Sequence, residues 1–254
     1  MTGRGRGGAG KRGGKGGAGK GGSAKSGGKG SSLHVSVQRT PTIRLKRKKG
    51  RTNSQQRWLQ RQLNDPFVIE ARRRGLRSRA AFKLMELNER FDLLKPGARV
   101  VDLGAAPGGW SQVSADIVGP KGSIVGIDLL PIDPIEGVVF IEGDFLDPEA
   151  PDHLMRELGG AADLVLSDMA ASSSGHAGTD HLKIIALAET AFYFATTVLT
   201  PGGAFVAKVL QGGTEQGLRT LLQKHFTKVV HAKPEASRKE SAEQYVVAIG
   251  FRVV

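Results

Sequence analysis

From Arg99 onward the chain alternates short apolar runs with amphipathic segments, and this alternation restricts the possible folds more than any other feature. Arg99–Leu103 (RVVDL), Ser123–Asp128 (SIVGID), Val138–Ile141, Ala162–Ser167 (ADLVLS), Ala204–Val209, Thr227–Ala232 and Tyr245–Phe251 have the length and composition of buried strands. Between them, Trp110–Val118, Glu149–Leu158, His181–Leu199 and Glu215–His225 carry helical apolar spacing. Pro201-Gly202-Gly203 should stop the long helix. Seven strands interleaved with helices predict an α/β domain with a doubly wound, mostly parallel sheet. Three helices should precede it. The first covers Ser54–Leu63. The second has Asp65 as its cap and Pro66 at its first position, and ends at Gly75. The third is capped by Ser78 and packs through Ala81, Leu84, Met85, Leu87 and Phe91.

In such sheets ligands sit at the carboxyl ends of the strands, so the residues just past each strand are where chemistry should be sought. The first strand runs into Asp102-Leu103-Gly104-Ala105-Ala106-Pro107-Gly108-Gly109-Trp110. A glycine-rich turn before a helix lets a ligand approach the backbone closely. Ala106 and Pro107 break the GxGxxG dinucleotide pattern, and the Gly-Lys-Ser/Thr of a phosphate loop is missing. A pyrophosphate is thus disfavoured, whereas an adenosyl group with a compact amino-acid tail fits. Asp128 ends the second strand about twenty residues past the turn, a place suited to ribose hydroxyls. Asp144, after the third strand, can accept the exocyclic amine of adenine or close an Asx-turn. Asp168 follows the fourth strand and Lys208 lies in the fifth. Strand four should lie beside strand one, and strand five beside four, so this pair should meet next to the ligand. A lysine among Phe205, Val206, Val209 and Leu210 needs a partner, in a structural ion pair or in catalysis.

Charge divides the chain. Residues 1–50 hold 14 Lys and Arg and no acid, and 15 of the first 30 residues are glycine. Such a segment cannot bury enough apolar surface to offset its ordering entropy, so residues 1–53 are expected to form a disordered tail and 54–254 the folded domain. A polyanion-binding arm suits the tail, as does a merely solubilising extension. Arg57, Arg61, Arg72, Arg73, Arg74, Arg77 and Arg79 make the N-terminal helices one-signed and suited to RNA phosphates. With no cysteine, disulfide frameworks, Cys-ligated metals and thiol catalysis are excluded. The six histidines show no HExxH spacing, so no metal is expected. No apolar run is long enough to cross a membrane, and the N-terminus has no secretory apolar core, so a soluble cytoplasmic protein is expected.

Ser78-Arg79-Ala80-Ala81-Phe82-Lys83-Leu84, DLGAAPGGWSQ (102–112), Ser167-Asp168-Met169, Ala207-Lys208-Val209 and SRKESAEQYV (237–246) together resemble the FtsJ-like ribose 2′-O-methyltransferases. The resemblance covers about residues 55–254, with the motifs in order. It implies a Rossmann-like, S-adenosylmethionine-dependent methyltransferase fold. It also implies a catalytic tetrad of Lys83, Asp168, Lys208 and Glu243, and donor binding by Gly108, Trp110, Asp128, Asp144 and Asp168. The implied substrate is a uridine ribose in the A-loop of large-subunit ribosomal RNA, within the assembled subunit, with the enzyme acting as a monomer. Lys208 would take the 2′-hydroxyl proton or steer the oxygen, and Glu243 would fix Lys83 or the ribose. The family's usual Pro-Asn after the fourth-strand motif is replaced here by Ala170-Ala171. Two other readings share the fold: a nicotinamide-dependent oxidoreductase, which the missing GxGxxG disfavours, and a non-catalytic RNA-binding ribosome assembly factor.

Overall fold

The computed structural model describes residues 43–45, 50, 52–172, 174–212 and 215–253. All of these fall within the unit Leu33–Val254, and the unit Met1–Ser32 lies outside them. The tail expected over residues 1–53 therefore lies outside the described residues, apart from 43–45, 50, 52 and 53.

Three helices come first: α1 (Asn53–Asn64), α2 (Pro66–Arg73) and α3 (Ala80–Phe91). Thr52 caps α1 through a reciprocal pair of hydrogen bonds with Gln55, so the cap lies before Ser54. Asp65 caps α2 with Pro66 behind it, as the sequence implies. Ser78 does not cap α3. Arg79 holds that position without a side-chain cap, and the Ser78 hydroxyl is buried without a hydrogen-bond partner among the described residues.

The remaining elements are β1 (Arg99–Leu103), α4 (Gly109–Val118), β2 (Ser123–Asp128), β3 (Val138–Glu142), α5 (Ala150–Leu158), β4 (Ala162–Ser167), α6 (Ala177–Val198), β5 (Leu199–Leu210), α7 (Glu215–His225), β6 (Phe226–Ala232) and β7 (Glu243–Phe251). They build a seven-stranded sheet of order β3-β2-β1-β4-β5-β7-β6. It is parallel from β3 to β5, and β7 runs antiparallel to both of its neighbours. β5 starts five residues earlier than the sequence suggests. A register shift between Ala162 and Leu164 accommodates the Pro201-Gly202 stretch, so these residues interrupt the ladder without ending it.

Because strand side chains alternate, each central strand feeds both faces. Val101, Val125, Val165 and Phe205 pack under α5, α6 and α7 with Leu154, Phe192 and Leu222. Val100, Ile124, Leu164 and Val206 pack under α3 and α4 with Leu84, Leu87, Trp110 and Val113. Each such side chain contributes about 1.5–3 kcal/mol relative to exposure. The second face matters most for function, because α3 brings Lys83 to the carboxyl ends of β4 and β5 and the amino end of β7.

Candidate active site

Lys208 and Tyr245 are cross-strand partners on β5 and β7, so their side chains leave the sheet on one face. Glu243 stands two residues before Tyr245 and shares that face. Asp168 follows directly on β4, its N–H donating to the Leu103 carbonyl at 3.1 Å. Lys83 lies on the inner face of α3 beside Leu84 and Leu87, a position that would otherwise be apolar. The topology therefore delivers two ammonium groups, two carboxylates and a phenol to one spot.

The five groups form a continuous chain of contacts. Lys208 Nζ lies 3.1 Å from Asp168 Oδ1 and donates to the Asp168 carbonyl at 2.5 Å. Tyr245 Oη donates to the same Oδ1 at 2.8 Å and accepts from Lys83 Nζ at 3.1 Å. Lys83 Nζ also pairs with Glu243 Oε1 at 2.7 Å, and that oxygen accepts the Ser237 hydroxyl at 2.8 Å. The Lys208 and Asp168 side chains are only 10% and 18% exposed, so their attraction is screened less than that of a surface pair. Burial pushes the Tyr245 phenol well above its ordinary range, and the Asp168 and Glu243 charges push the same way. It stays a neutral donor that ties the two lysine–carboxylate pairs together. All four predicted tetrad residues are thus brought together. Tyr245 is the member that sequence reasoning missed, although its two-residue spacing from Glu243 was the signal that could have found it.

The adjoining strand ends form a cradle suited to an adenosyl ligand. Gly104 has φ +77°, and a Cβ there would lie 2.8 Å from the Met169 backbone, so β1 and β4 separate over a turn only glycine can make. Gly108 opens α4 in the left-handed region, and the first-turn N–H groups of that helix lack intrahelical acceptors. Asp128 Oδ2 accepts the Ala106 N–H at 2.9 Å, fixing the turn to the end of β2. Asp144 closes an Asx-turn onto the Leu146 N–H at 2.9 Å, so the two readings of this residue are compatible, because its second oxygen remains available. Leu129 and Leu146, each just past one of these acids, are 67% and 55% exposed, leaving apolar groups beside the acceptors. Beneath the turn, the fully buried Asp102 accepts the Ser111 hydroxyl at 2.6 Å on Oδ2, while its Oδ1 has no hydrogen-bond partner among the described residues. Trp110 is placed differently from a side-chain ligand. The residue is 3% exposed, and its ring packs 5.4 Å from the Tyr245 ring and donates to the Ala80 carbonyl, so the side chain is committed to the packing under α3.

Several arginines of the N-terminal helices already have partners within the fold. Arg73 and Arg74 both bind Glu70, and Arg79 binds Asp65 and the Ala236 carbonyl. Arg77 is spent on loop carbonyls. Helical spacing alone could not show these pairings, because half of them reach residues distant in sequence. Arg57 and Arg61 on α1 and Arg72 on α2 remain exposed.

Residues 76–251 match the sequence model of the FtsJ-like methyltransferases. The chain belongs to the FtsJ-like methyltransferase family. It is 61% identical over 219 residues to the ribosomal RNA large subunit methyltransferase E of Paramagnetospirillum magneticum, an overlap covering 84% of this chain and 90% of that one. It is 60% identical over 213 residues to the protein of the same name from Xanthobacter autotrophicus, covering 83% and 84%. Among solved structures, a ribosomal RNA methyltransferase from Plasmodium falciparum superposes with a TM-score of 0.62 at 31% identity, covering 69% of this chain and 98% of that one. These matches are to methyltransferases, not to the nicotinamide-dependent oxidoreductases considered from the fold alone. No helix among the described residues is long and apolar enough to cross a membrane.

Proposed function

We propose that this chain transfers a methyl group from S-adenosylmethionine to the ribose 2′-hydroxyl of a uridine in large-subunit ribosomal RNA, in the A-loop of the assembled subunit, acting as a monomer. The carrying observation is the linked cluster Lys208–Asp168–Tyr245–Lys83–Glu243 beside the glycine-rich turn of an FtsJ-like chain. When bound, the donor supplies a methyl carbon on a positively charged sulfur. Asp128, Asp144, Asp168 and the backbone around Gly108 and Trp110 hold it. An ammonium has three donor directions; Lys208 donates to the Asp168 carbonyl and forms an ion pair with the Asp168 carboxylate, which leaves a direction for a further group. That direction faces the 2′-oxygen: as an ammonium Lys208 steers the oxygen, and as a neutral amine its lone pair takes the hydroxyl proton. Lys83 and Glu243 fix the ribose from the other side, with Tyr245 holding the halves in register. Much of the acceleration comes from this positioning.

The direct test incubates the protein with labelled S-adenosylmethionine and undermethylated large subunits, then maps the label. One labelled uridine ribose in the A-loop is the expected result. Label on a base, or on a nucleotide elsewhere, overturns the substrate reading. Intact RNA binding without any transfer favours the non-catalytic assembly factor.

The RNA surface centres on α1. The Ile43 and Leu45 N–H groups donate to Asn64 and Gln60 side chains at 2.8 Å each, laying this end of the basic tail along the helix that carries Arg57 and Arg61. Replacing both arginines with alanine should reduce the slope of log affinity against log salt by about 1.5, as removal of two phosphate contacts requires. Transfer at saturating RNA should stay near that of the parent. An unaltered slope, measured by filter binding across a salt series, removes α1 from the interface.

A further inference from the structure

Arg77 lies between α2 and α3, outside the linked cluster, yet its guanidinium reaches both loops of the donor cradle. Nη1 donates to the Asp133 carbonyl at 2.5 Å and, more weakly, to the Pro107 carbonyl at 3.3 Å, while Nη2 donates to the Pro134 carbonyl at 2.7 Å. Its own N–H donates to Gln112 Oε1 at 3.0 Å, and Gln112 Nε2 donates back to the Gly75 carbonyl at 3.1 Å. Arg77 is thus held by α4 at one end and holds two strand-end loops at the other. A Cβ on Gly108 would lie 3.0 Å from Arg77 Nη1 and 3.3 Å from Ile132 Cγ2, so turn, guanidinium and loop are in close packing. Among the described residues Arg77 makes no ion pair; its charge faces carbonyl dipoles only. The Asp128–Ala106 hydrogen bond joins the two loops at their base, and Arg77 joins them at the rim.

We propose that Arg77 is a positioning residue for the methyl donor. It fixes the distance between the turn after β1 and the loop after β2, so that the adenosyl site is formed before the donor arrives. A preformed site avoids the ordering cost of two glycine- and proline-containing loops, and that saving appears as donor affinity. A planar, forked guanidinium can serve three carbonyls on two segments at once, whereas an ammonium is a compact point donor and cannot reproduce the fork. The inference rests on the donor reading given above.

The test compares wild type, Arg77→Lys and Arg77→Gln. Calorimetry gives the affinity for S-adenosylhomocysteine, and steady-state transfer to undermethylated subunits gives kcat and the separate KM values for donor and RNA. Both variants should bind S-adenosylhomocysteine about tenfold more weakly and raise the donor KM in step. Their kcat at saturating donor, RNA KM and salt slope should match wild type. A purely structural lesion would lower the active fraction and kcat instead. Should one variant fail to fold, the other carries the comparison. Unchanged affinity in a folded variant overturns the proposal. So does a rise in RNA KM that Lys rescues and Gln does not, which would make Arg77 a phosphate contact. Failure of wild type to bind S-adenosylhomocysteine overturns the donor reading itself, and the Arg77 proposal with it.

Discussion

Lys208→Ala abolishes methyl transfer while donor affinity stays within about twofold of the parent. The loss should reach about a thousandfold in single-turnover transfer to undermethylated subunits, the scale expected when a positioned proton-handling group is removed. Lys208 extends from β5 into a largely buried cluster, and among the described residues its polar contacts are to Asp168. Truncation leaves Asp168 tied to Tyr245, so the donor side of the cluster persists while the amine that faces the ribose is lost. Arg should not rescue, since its guanidinium is longer and planar. Tyr245→Phe should give a smaller loss, about tenfold, because it removes one hydrogen bond to each half of the cluster and no charge. Wild-type turnover in the alanine variant would end the assignment of Lys208.

The second large effect is on stability and concerns Asp102. This carboxyl is fully buried under the glycine-rich turn, and loss of hydration raises its pKa from the ordinary 3.8 to about 7, outweighing the Ser111 hydrogen bond. The nearby Asp168 and Asp128 charges push in the same direction. In the unfolded chain the group releases its proton near pH 4, whereas the folded protein keeps it to about pH 7. Between these values the folded state binds the extra proton. The stability linked to that proton is complete below pH 4 and is lost as pH rises through 7. The loss amounts to about 4 kcal/mol for a difference of this size. Asp102→Asn keeps an acceptor for the Ser111 hydroxyl and removes the titration. Urea unfolding at pH 4, 5.5, 7 and 8 should show stability falling with pH in wild type relative to a flatter Asn variant. The variant should be the more stable protein at pH 8. Parallel curves for the two proteins would show that Asp102 is ionised in the folded state throughout.

The sequence alone determined the α/β class and the strand set and pointed to Asp168 and Lys208 at the strand ends, because these signals are local, whereas Lys83 and Glu243 were marked only by the family resemblance. Apolar runs of strand length, the break from GxGxxG at Ala106-Pro107, and a lysine inside the apolar run around Phe205 and Val209 can be read within a few residues. Helix limits were legible where a cap is local, as with Asp65-Pro66. They were not where tertiary contacts intervene, as with Ser78, whose hydroxyl is turned into the packing against Gly109. The start of β5 was hidden as well, since a register shift against β4 carries the strand through residues that normally end one.

Tertiary structure decided which polar groups are spent on one another. Tyr245 reads as one more strand aromatic until β5 and β7 pair, and only then does its hydroxyl stand between Asp168 and Lys83. The arginines of the N-terminal helices look alike in sequence. Folding commits Arg79 to Asp65 and Arg77 to the loop carbonyls through contacts between remote segments, whereas Arg73 and Arg74 pair locally with Glu70 and stay on the surface with Arg57, Arg61 and Arg72. The physical reason is that burial pattern is a property of segments. Pairing of charges and hydrogen bonds is a property of distances, and those are set only when remote segments close on one another.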